Sequence, residues 1–131
     1  MRKIALAAAS LAVAGAASLV TTPTAGAFVS FVDLQVTGGI SCSGPLPGRA
    51  ETNSQTDHGY VRNNGNVPAQ NVWLGFGGGG GEGRATLAPG QGFAVTRTVP
   101  TWGCPFRVTW VHTATSSFDI NYTNNFFVAR N

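Results

Sequence analysis

Asp57 and His58 stand side by side, and Ser41 and Ser43 lie a short distance before them. An acid-oriented imidazole beside a serine hydroxyl is the constellation of nucleophilic hydrolysis. Ser41-Cys42-Ser43 lacks the GxSxG elbow that lifts a nucleophile onto a sharp turn. His58 and His112 are the only histidines, and no HExxH spacing offers a zinc site. Strand order, set out below, starts one strand at His58 and ends another at His112. The two then fall near opposite ends of the domain and read as surface or turn histidines.

The remaining chemistry-bearing residues are sparse. The carboxylates are Asp33, Glu51, Asp57, Glu82 and Asp119. Glycoside hydrolysis needs two of them at a set separation across a cleft, and only Glu51 with Asp57 is a local pair. The glycine run from Gly75 to Gly83 formally contains GxGxxG. A phosphate-binding loop needs a helix behind it or a Gly-Lys-Ser/Thr ending, and Glu82-Gly83-Arg84 supplies neither. A flexible connection is expected there. No catalytic residue, metal or cofactor is expected.

Two cysteines and two tryptophans carry more information. Cys42 and Cys104 form no CxxC pair, and an exported chain with two cysteines is expected to join them in a disulfide. Closing a loop of about sixty residues removes unfolded-state entropy worth roughly 4 kcal/mol. Trp73 alternates with Val72, Leu74 and Phe76 and should point outward, while Trp102 lies in a short loop beside Cys104. Exposed rings of this kind cover the C–H faces of sugars or anchor a partner. Trp110 is in phase with Phe106 and Val108 and is assigned to the core.

Export is read from residues 1–27. Arg2 and Lys3 precede an Ala/Leu/Val-rich run, and Ala25-Gly26-Ala27 offers a cleavage site. The processed chain would run from Phe28 to Asn131, one domain with a sizeable core. The formal charge of +3 includes Arg2 and Lys3; without them six arginines face five acids, and no lysine remains. The arginines are scattered singly, so no nucleic acid partner is expected. No later apolar span follows, and neither an LPxTG motif nor a lipobox cysteine is present. Free release to the outside, as a monomer, is the expectation.

The elements that must position these residues are strands. Val32, Leu34 and Val36 alternate with polar neighbours, as do Val72, Leu74 and Phe76, and Phe93, Val95 and Val99 with Arg97 as the exception. Asn63-Asn64-Gly65-Asn66 and Pro89-Gly90 are turn chemistry. Seven strands result, near 30–37, 58–63, 70–76, 83–87, 92–99, 105–112 and 124–130. Such a count fits an all-β, immunoglobulin-like antiparallel β-sandwich. If successive strands reverse, the first ends and the sixth begins at one end of the domain, bringing Cys42 to Cys104. One strand more or fewer would part them by about 17–20 Å, beyond disulfide reach. Residues 38–57 are left as a long loop, of the kind that often serves binding.

These segments resemble the CARDB family, the cell-adhesion-related domain found in bacteria. The resemblance rests on Asp33-Leu34-Gln35-Val36, Val61-Arg62-Asn63-Asn64-Gly65-Asn66, Ala69-Gln70-Asn71-Val72, Leu87-Ala88-Pro89-Gly90-Gln91 and Asn124-Asn125 before Phe126-Phe127-Val128. It covers nearly the whole processed chain. It implies an extracellular immunoglobulin-like fold that binds other molecules or acts as a spacer, without catalysis. Acids common in the family are replaced by His112 and Tyr122, with Asp119 retained, so the resemblance implies no cation site here. The functional expectation is a secreted, non-catalytic binding or adhesion module acting on an extracellular protein or glycan through surface loops. The alternative is a carbohydrate-binding module using Trp73 and Trp102.

Overall fold

The computed structural model describes residues 29–45 and 52–131. Residues 1–27, read from the sequence as an export signal, and Glu51 lie outside the described residues. Seven strands follow in order: β1 (Leu34–Ser43), β2 (Thr52–Asn63), β3 (Ala69–Phe76), β4 (Gly81–Leu87), β5 (Gly92–Trp102), β6 (Val108–Ala114) and β7 (Phe126–Arg130). One turn of 3-10 helix, Tyr122–Asn124, precedes β7. They form two antiparallel sheets, β1-β2-β5 and β4-β3-β6-β7. This is an immunoglobulin-like sandwich in which the fourth strand pairs with the third.

Alternation explains the core. Leu34 and Val36 of β1, Val61 of β2, Val72, Leu74 and Phe76 of β3, Val95 of β5 and Val111 of β6 face inward and are buried. Each such side chain contributes about 1.5–3 kcal/mol through removal from water. Cys42 and Cys104 are joined with their Cα atoms 6.0 Å apart. The strand count thus brings the two cysteines together as the sequence requires.

One end of the sandwich is locked by buried amides and acids. The Asn63 side chain donates to the carbonyls of Val67 and Leu87, both at 2.9 Å, and its Oδ1 accepts from the Gly65 N–H at 3.0 Å. Its backbone also bonds to Gly90 and Gln91, so one buried residue ties two turns together. Asp119 is buried and accepts from the backbone N–H groups of Leu34 and Asn121 and from Asn125 Nδ2. Asp33 Oδ1 accepts from Asn124 Nδ2 at 2.8 Å. Asp33 and Asp119 are therefore joints of the frame.

Three expectations are corrected. Most of the 38–57 loop is strand: β1 and β2 extend as a hairpin through the pairs Gly38↔Gly59 to Ser43↔Ser54. Hydrophobic alternation stops there because the inward positions of β2 are Gln55 and Asp57, polar but buried. The glycine run is a tight β3–β4 turn rather than a loose connection. The Phe76 N–H donates to Gly80 O at 3.1 Å and the Gly79 N–H to Phe76 O at 3.0 Å, with φ of 90° at Gly79 and 84° at Gly80.

The third correction concerns β6. Trp110 and Val108 point outward, and Thr109, Val111 and Thr113 point inward. The facing sheet decides this phase. Gly38 and Gly59 leave a shallow slot for Val111, whose methyl groups lie 2.7 and 2.8 Å from where their Cβ atoms would stand. An indole does not fit there. Thr113 is held inward as its hydroxyl donates to Trp73 O at 2.7 Å. Phe106 precedes the strand and is exposed.

Candidate binding face

Three places in the molecule gather functional side chains. The first is the outer face of β1-β2-β5, where Ser41 Oγ and His58 Nε2 lie 2.7 Å apart. Ser41 sits two positions beyond Gly39, the partner of His58 across the ladder. The sequence placed His58 at a strand start, but β2 begins at Thr52 and makes it a mid-strand residue. His112 is likewise mid-strand, so the two are not at opposite ends. Val111 packs against Gly59 across the sandwich, which sets their neighbours His58 and His112 at the same level on opposite outer faces. Asp57 cannot orient His58, because alternation turns its side chain inward. Among the described residues the pair has a base and a hydroxyl without a third, orienting group.

The second place is where Asp57 goes. Its carboxylate is fully buried and accepts four N–H groups. Arg97 donates through Nε at 3.0 Å and Nη2 at 2.6 Å. Arg107 donates through Nη1 and Nη2, both at 2.9 Å. Arg97 also donates to Gly79 O at 2.6 Å and lies over the Phe76 ring, 5.3 Å from its centroid. Gln55, two residues before Asp57, donates to Pro105 O at 2.6 Å. This cluster stitches β2, β5, the β3–β4 turn and the start of β6 together. It explains why Arg97 breaks the apolar phase of β5. Breaking such a pair leaves an uncompensated buried charge.

The third place is the outer face of β4-β3-β6-β7. Trp73 is 43% exposed and Trp110 47% exposed. Each indole lies on glycine backbone. A Cβ on Gly75 would stand 2.6 Å from Trp73 Nε1, one on Gly81 2.6 Å from its Cζ2, and one on Gly83 3.5 Å from its Cε3. A Cβ on Gly77 would fall inside the Trp110 ring. The ladder places His112 opposite Gly75 and Phe126, and Trp110 opposite Val128. Val108, Phe126 and Val128 are all about half exposed on this face. His112 keeps Nδ1 buried and unpartnered, which leaves Nε2 as the nitrogen that solvent reaches.

Of the sequence-predicted ring pair, Trp73 is outward on this face, as expected from its alternation. Trp102 is 74% exposed at the end of β5, opposite Thr52, and belongs to the other sheet. The structure therefore does not bring Trp73 and Trp102 onto one surface; it brings Trp73 and Trp110 together. Sequence reasoning missed Trp110 because Phe106, Val108 and Trp110 form the more apolar phase of β6. The glycines at 75, 77, 81 and 83 were the available signal, since glycine in a strand often marks a close approach.

Among the described residues no group of three or more His, Cys, Asp or Glu side chains gathers, and no helix is long and apolar enough to cross a membrane. Set against family models, curated proteins and solved structures, the chain matches none.

Proposed function

We propose that this protein is a secreted, non-catalytic binding module whose contact surface is the aromatic outer face of β4-β3-β6-β7. The observation that carries this reading is the pair Trp73 and Trp110, each laid flat on glycine with its other ring face toward water. Apolar side chains cluster on this face at a cost in solubility, and a contiguous patch of this kind marks an interaction site. The disulfide is compatible with an oxidising, extracellular compartment. The resemblance to CARDB domains supports the same class of activity, with the contact moved from the loops to a sheet. The Ser41–His58 pair, to which no described residue supplies an orienting acid, gives no comparable support to hydrolysis.

The test is retention of the exported protein on isolated cell-wall material, measured by co-sedimentation. Wild type is expected in the pellet, and Trp73→Ala/Trp110→Ala in the supernatant. Trp102→Ala should behave as wild type. If the double variant pellets like wild type, the aromatic face is not the contact surface. Loss in Trp102→Ala alone would return the site to the loops at the disulfide end.

A further inference from the structure

Resting on that reading, we infer that the occupant of the face is an uncharged, flat glycan chain. The first argument is the placement of polar atoms. Trp73 Nε1 lies over Gly75 and Trp110 Nε1 over Gly77, two positions apart on β3, and His112 stands opposite Gly75. Same-face positions on a strand are about 7 Å apart, so the two indole nitrogens lie over one short stretch of β3, with His112 opposite it on β6. Among the described residues neither indole nitrogen has a protein hydrogen-bond partner, and His112 Nδ1 has none either. A sugar presents the complementary pattern: C–H faces that stack on rings, and equatorial hydroxyls at their edges that exchange hydrogen bonds with N–H groups.

The second argument is charge. Among the described residues the face carries no acid, and its one arginine, Arg130, lies at the rim opposite Val108. A surface without a basic cluster has no means of holding an anionic lipid headgroup or a sulfated polymer.

The third argument is area. Four strands spaced about 4.8 Å apart, with four residue pairs joining β3 to β6 at the centre, present roughly 250 Å² of flat surface. A standard interface takes about 800 Å² from each partner, so the face is too small for a stable pair of copies of this chain. It is large enough for a few sugar rings.

The experiment is calorimetric titration of the exported, disulfide-bonded protein with neutral β-1,4-linked hexasaccharides of glucose and of N-acetylglucosamine. A heparin hexasaccharide serves as the charged comparator. Binding of at least one neutral chain is expected, about tenfold or more weaker in Trp73→Ala and in Trp110→Ala. His112→Ala should weaken it too. Trp102→Ala and His58→Ala should bind as wild type. The Trp→Phe versions keep a stacking face and should recover part of the affinity, and circular dichroism checks that each variant is folded. Failure of wild type to bind either neutral chain, with Trp110-dependent retention on cell-wall material intact, overturns the glycan class and leaves the binding face standing. Preference for heparin, or neutral binding indifferent to both tryptophans, overturns it as well. Loss of Trp110-dependent retention overturns the proposed face itself.

Discussion

The two outer faces of the sandwich are built by the same alternation but differ in their balance of polar and apolar side chains. The β1-β2-β5 face presents Gln35, Thr37, Thr56, His58, Arg62, Thr96 and Thr98, all accessible to water, with the exposed rings of Tyr60 and, at the end of β5, Trp102 set apart among them. Its polar groups satisfy one another, as in the 3.0 Å contact between the Thr56 and Thr98 hydroxyls and the 2.9 Å bond from Asn64 to Gln35. The β4-β3-β6-β7 face presents two tryptophans, two valines and a phenylalanine. Both sheets bury equivalent aliphatic residues inside, so the fold does not require this asymmetry. What the fold does not require, and what costs solubility, is the best pointer to use.

The comparison can be broken from the inside outward. Asp57→Asn removes the charge that both Arg97 and Arg107 face, and should cost about 3–5 kcal/mol, read as a lowered urea midpoint. Cys42→Ser with Cys104→Ser should cost about 2–4 kcal/mol without altering either face. Gly77→Val pushes a side chain into the Trp110 ring and should cost about 1–3 kcal/mol, with a shift in tryptophan emission. Thr96→Val, on the polar face, should stay within about 0.5 kcal/mol of wild type. A Thr96 variant as damaging as Gly77→Val would mean that the faces do not differ in the way described.

Much of the fold was legible in the chain. Turn chemistry at Asn63 to Asn66 and at Pro89-Gly90 punctuated the strands correctly, and the strand count predicted the Cys42–Cys104 link. What escaped was anything decided by the opposite sheet. The direction of Trp110 depends on Gly38 and Gly59, which pair far away in sequence and admit only Val111. The extension of β1 and β2 through 38–57 was hidden because its inward residues are Gln55 and Asp57. Their burial makes sense only once Pro105, Arg97 and Arg107 are in place. Alternation reports which residues share a face; it does not report which face meets a partner able to accept them.

The glycines beneath the indoles have a consequence for rates and heats. A ring lying directly on main chain has little torsional freedom left to surrender on association, so its ordering penalty is met during folding. Replacing a seat such as Gly75 by Ala, whose methyl would stand 2.6 Å from Trp73 Nε1, should therefore act mainly through the entropy of association, by loosening a platform that is otherwise set before anything lands on it.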